Sequence, residues 1–135
     1  MRGSYLHETL SLNMSQAFCP VLRSNLYRTD LRRANLQNAN LTSAMVLEAD
    51  LGHANLCQGN LKGAILSRSN LQFAILQQAN LSRADCHATL LQNAQLDQAN
   101  LLRTNLQAAN LTNVSLEGAR LGLLNFFKLH LFNGS

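Results

Sequence analysis

The side chains able to carry chemistry are few and scattered. Four histidines, three cysteines and seven carboxylates are spread over 135 residues. His53 and Cys57 lie four apart, close enough to approach across a turn, but two ligands do not make a zinc site. The acids Glu8, Asp30, Glu48, Asp50, Asp85, Asp97 and Glu117 are dispersed, and no catalytic triad is assembled from them. No glycine-rich phosphate loop is present. Cys19, Cys57 and Cys86 do not form the even-numbered framework of a small secreted domain. Neither catalysis nor a bound metal or cofactor is therefore expected. What does recur is charge at a fixed interval. Arg28, Glu48 and Arg68 are spaced by twenty, as a solvated ion-pair ladder would be. Arg83 and Arg103 share that interval and could meet an acidic partner.

Spacing of this kind needs a scaffold to position it. The length suits a single domain. Apolar residues make up 47% and aromatics only 5%, with no Trp, so a core must be built from small and aliphatic side chains. The net charge of +4 is mild and points to no particular partner. No run is long enough for a membrane span, and no cleavable leader follows Arg2. Met1 to Ser4 reads as an expression-vector remnant. The expected compartment is the cytoplasm, with the periplasm or thylakoid lumen as alternatives if a leader was removed.

The scaffold is visible as a repeat. Of the twenty positions spaced by five from 26 to 121, Leu fills 18, with Val46 and Cys86 the exceptions. Two residues before each, Ala fills 13 sites, and the others are Ser, Thr, Gly or Val. The residue directly before the Leu site is Asn ten times and Asp three times. A helix does not explain this, because five residues advance a side chain about 140° beyond a full turn and would spread the leucines around it. An extended backbone does, since residues two apart then point the same way. The small residue and the Leu point inward, the Asn or Asp points outward, and the next two residues turn the chain. Cys86 on a Leu site should be a buried apolar filler, with His87 pointing away from it. The outward Asn and Asp are suited to satisfying turn backbone and to unusual dihedrals. Four such sides close a square coil of about twenty residues, stacked on the next at roughly 4.8 Å. On that geometry Cys19 and Cys86 are about three coils apart, roughly 15 Å, too far to bridge.

The A(D/N)LXX units, among them ANLQN (Ala34 to Asn38), ANLTS (Ala39 to Ser43), ADLGH (Ala49 to His53) and ANLTN (Ala109 to Asn113), resemble the pentapeptide-repeat family. The resemblance implies an all-β fold, a right-handed quadrilateral parallel β-helix of about five coils over residues 24–123. The almost uninterrupted repeat is similar to the small stand-alone cyanobacterial members. Some members imitate the DNA duplex and bind gyrase, which needs a strongly acidic surface. Residues 24–123 carry eight basic and six acidic side chains, the wrong sign for a phosphate mimic. Direct nucleic-acid binding is also disfavoured, for want of a dense basic stripe and stacking aromatics. The expected function is a non-catalytic scaffold presenting rigid walls to a protein partner.

A solenoid must block its open ends. Residues 1–23 and 124–135 are expected to be caps, with Phe126, Phe127 and Phe132 either covering the last coil or forming a dimer contact. A monomer is expected, with a dimer through this tail as the alternative. No membrane contact is expected. Along the repeat, some outward sites are apolar instead of Asn or Asp. Met45 and Ile65 fall one above the other with Leu47 beside them, and Phe73 and Ile75 flank a corner further round the coil. These five are the candidate partner contacts.

Overall fold

The unit Asp50 to Ala54 shows why five residues form one side of a coil. In the computed structural model, which describes residues 25–122, all five of its backbone N–H groups find acceptors. Asp50 donates to the Thr29 carbonyl at 3.0 Å, Leu51 to Asn70 at 2.7 Å and His53 to Gln72 at 2.9 Å. Ala54 donates to the Leu51 carbonyl at 2.9 Å, which closes a β-turn. Gly52, inside that turn, donates to the Asp50 Oδ1 at 2.9 Å. One bond runs to the coil before, two to the coil after, and two stay local. Buried backbone polar groups must be paired, and this short unit pairs them without a long strand.

The pairing is parallel and recurs every 20 residues, as in Asn25↔Met45, Met45↔Ile65 and Asn60↔Asn80. Among the described residues, two-residue strands form at two places alone, β1 (Asn100–Leu101) and β2 (Arg120–Leu121), paired in parallel with Leu101 opposite Leu121. No helix occurs among the described residues. Each coil has four sides and four turns, and stacked coils form a β-solenoid. The expected caps at 1–23 and 124–135, with Phe126, Phe127 and Phe132, lie outside the described residues.

The interior follows the five-residue pattern. Leu51, Leu56, Leu61, Leu66, Leu71 and Leu76 are fully enclosed, and so are Ala54, Ala64, Ala74 and Ala79. Large and small side chains alternate because a narrow tube has no room for two large columns per side. Cys86 is buried on its Leu site, and burial pushes its thiol up to about 12, leaving a packed, unreactive side chain. Three small-residue sites hold hydroxyls with no exposed surface. Thr89 donates to the Leu66 carbonyl at 2.9 Å and Thr104 to the Leu81 carbonyl at 2.7 Å. Ser69 also donates to Leu66. The sequence pattern treats these residues as spacers only; stacking shows them adding a bond to a carbonyl already used by a turn.

The unusual dihedrals fall elsewhere than on the outward Asn and Asp. The second residue of every turn from 28 to 118 has a positive φ, seventeen of them non-glycine, such as Glu48 at 57° and Phe73 at 59°, with Gly63 and Gly118 the other two. This is the type II turn position that ordinarily selects glycine. The Asn and Asp side chains act one step earlier, by accepting the N–H inside the turn. The coil imposes the left-handed residue because its own N–H is tied to the coil after, as His53 is to Gln72 and Phe73 to Gln92, while the N–H groups on either side are held within the turn.

Candidate interaction surface

All thirteen Asn and Asp residues in the outward series accept the backbone N–H two residues ahead, at 2.9–3.2 Å. The side chain closes an Asx turn and locks the corner. Met45, Ile65, Ile75 and Leu90 stand in the same series and have no acceptor to offer. At these sites the local structure forgoes a bond worth about 1 kcal/mol for an outward apolar group.

Met45 and Ile65 are adjacent in one column, bridged to each other in parallel, and are 42% and 38% exposed. Leu47, half-buried, lies in the corner that follows, one coil above exposed Tyr27. The same corner carries the charge ladder. Arg28 Nε lies 2.7 Å from Glu48 Oε2, and Arg68 Nη1 is 3.9 Å from Glu48 Oε1. Tyr27 donates its hydroxyl to Glu48 at 3.4 Å. The Arg28 hydrogen bond holds the Glu48 carboxyl below the usual carboxylate range and raises its own guanidinium. The ladder read from twenty-residue spacing is present, but it is exposed and screened by salt, so it orders the rim more than it stabilises the fold.

Phe73 and Ile75 do not join this group. Phe73 occupies the next corner, where it is 49% exposed and stacks on His53 with ring centroids 4.8 Å apart and planes 3° from parallel. Ile75 lies on the wall beyond, between Asn55 and Gln95, two sides away from Met45. The five candidate residues therefore separate into Met45, Ile65 and Leu47 on one wall and Phe73 and Ile75 around another corner. His53, four residues from Cys57, is engaged by Phe73. Among the described residues no group of three or more His, Cys, Asp or Glu is placed to hold a metal ion, and no helix is long and apolar enough to cross a membrane.

Two polar columns escaped the sequence reading. Gln58 donates to Gln78 at 2.8 Å and Gln78 to Gln98 at 3.1 Å, one amide per coil. Beside them Asp97 accepts from Ser115 and, at 2.9 Å, from the Glu117 N–H. The Ser115 bond, first among its causes, lowers the Asp97 pKa. Arg32 also pairs with Asp30 at 2.6 Å, which raises its guanidinium. The twenty-residue spacing of glutamines was the available signal for the ladder.

Twenty-residue coils with four turns each, locked by outward Asn or Asp and filled by Leu and Ala, define a β-solenoid repeat protein. Residues 23–46, 47–83 and 84–122 match the family of pentapeptide repeats, in eight copies, and the chain belongs to that family. Among solved structures it is similar to a pentapeptide repeat protein of the Arabidopsis thaliana thylakoid lumen, with TM-score 0.67 and 24% identity over 69% of this chain and 65% of that one. It is 36% identical to a pentapeptide repeat protein of Nostoc PCC 7120, covering 70% of this chain and 86% of that one, with TM-score 0.47. It is 35% identical to Rfr23 of the cyanobacterium Cyanothece 51142, covering 73% of this chain and 60% of that one, with TM-score 0.45. The expected likeness to cyanobacterial members is thus found. The chain spans less than two thirds of the Arabidopsis and Cyanothece proteins. Comparison with curated proteins gives no match.

Proposed function

We propose that this chain is a non-catalytic interaction scaffold that docks a protein partner on the wall bearing Met45 and Ile65. In this reading the rod is a right-handed solenoid of about five coils over residues 24–123, capped by 1–23 and 124–135. The observation that carries it is the pair of adjacent outward sites where a turn-locking Asn or Asp is replaced by an exposed apolar side chain. One exposed apolar residue means little, but two in one column with Leu47 and Tyr27 beside them make a patch, and patches mark contact surfaces. Charged residues around an apolar centre match the anatomy of protein interfaces.

The test is capture of partners on the immobilised chain, comparing wild type with Met45→Glu plus Ile65→Glu. Both sites are exposed, so the variant should keep its melting temperature and lose the partner. Capture unchanged by the double substitution would remove this wall as the interface.

A further inference from the structure

The excess positive charge of the repeat is not evenly spread. Around the Met45 wall, the corner that follows carries Arg28, Glu48 and Arg68, and the corner that precedes it carries Lys62, Arg83 and Arg103. With Asp85 on the wall itself, five basic residues face two acidic ones. The remaining three basic residues of positions 24–123 face four acidic ones. Lys62, Arg83 and Arg103 are not in ion pairs among the described residues, and all three belong to a corner without a carboxylate. The apolar patch and the positive charge thus share one face.

We propose that this face receives an acidic amphipathic helix of a partner protein, a deepening that rests on the docking wall proposed above. The charge calls for carboxylates on either side of an apolar ridge. The spacing selects the helix. Apolar rungs on the wall repeat once per coil, about 4.8 Å. A helix lying along the solenoid axis repeats its apolar face about every 5.4 Å, whereas one face of a strand repeats about every 6.6 Å. A helix with anchors at i, i+3, i+4 and i+7 can place successive turns over Tyr27, the Met45–Leu47 level and Ile65.

The probes are two synthetic amphipathic peptides with the same leucine pattern, one flanked by Glu and the other by Lys. Binding is read by fluorescence anisotropy against wild type, Met45→Ser plus Ile65→Ser, and Lys62→Glu plus Arg83→Glu, each checked for unchanged melting. The Glu peptide should bind wild type at least about tenfold more tightly than the Lys peptide, and weaken as salt rises. The serine variant should lose about tenfold or more, and the charge-reversed variant should reverse the peptide preference. Equal binding of the two peptides, or no binding of the Glu peptide, overturns the proposal. If that happens while Met45→Glu plus Ile65→Glu still abolishes partner capture, the docking wall stands and only the acidic helix falls. If capture is unaffected as well, both fall. A dimer in sedimentation that these substitutions dissociate would place a second copy on the wall and also overturn the proposal.

Discussion

Met45 and Ile65 stack in neighbouring coils through a parallel bridge, and neither can accept the turn N–H that Asn or Asp accepts elsewhere in the series. The first consequence is a trade of stability against binding. Met45→Asn and Ile65→Asn should each install the missing Asx turn and stabilise the chain by about 1 kcal/mol. The same substitutions should weaken partner capture. Denaturant melts and the capture assay together check this; a loss of stability on introducing Asn would show that the apolar side chains already serve the fold.

The interior tolerates no charge. Leu71 has no exposed surface, so Leu71→Asp would bury a carboxylate without a partner and should unfold or aggregate the chain. Leu71→Ala should cost about 2–5 kcal/mol. Gln72→Asp, on the adjoining turn, should stay within about 0.5 kcal/mol of wild type. A soluble Leu71→Asp with unchanged melting would sink the inward assignment.

The left-handed corner residues make an opposed pair of tests. Gly63 has φ 66° and an added Cβ would meet only Ser43 Oγ at 3.5 Å, so Gly63→Ala should cost about 1 kcal/mol through backbone strain alone. Ala108, exposed with φ 60°, is the reverse case. Ala108→Gly should be neutral to stabilising, where glycine elsewhere would destabilise. Equal losses from both changes would argue against the left-handed assignment.

Asp97 supplies a pH signature. Its pKa is lowered in the folded state, so its contribution is fully present above the unfolded value near 3.9 and is lost as pH falls through the folded value. The stability difference between wild type and Asp97→Asn should therefore favour wild type at pH 6 and shrink on acidification. Parallel pH profiles for the two proteins would show that the Ser115 contact confers nothing on the charged form.

How far the residues foretold the molecule depends on the range of each interaction. Ala49, Asp50 and Leu51 reveal in, out and in by alternation alone, because that is a property of one extended backbone segment. Twenty-residue stacking was legible too, since Leu26, Val46 and Leu66 must share a column once four sides close a coil. The positive φ at Phe73 and Glu48 was not. Neither residue favours the left-handed region, and it is hydrogen bonds to neighbouring coils that hold them there.

The same boundary divides the surface. Sequence by itself determined the repeat, the inward columns, the family and the adjacency of Met45 and Ile65. Only tertiary structure decided that Phe73 stacks on His53. It also decided that Thr89 and Ser69 bond to Leu66 inside the tube, and that Gln58, Gln78 and Gln98 form one ladder. The physical reason is that a five-residue period sets which way a side chain points, whereas its partners come from a coil twenty residues away, whose side chains take their rotamers and hydrogen bonds only once the coils are stacked.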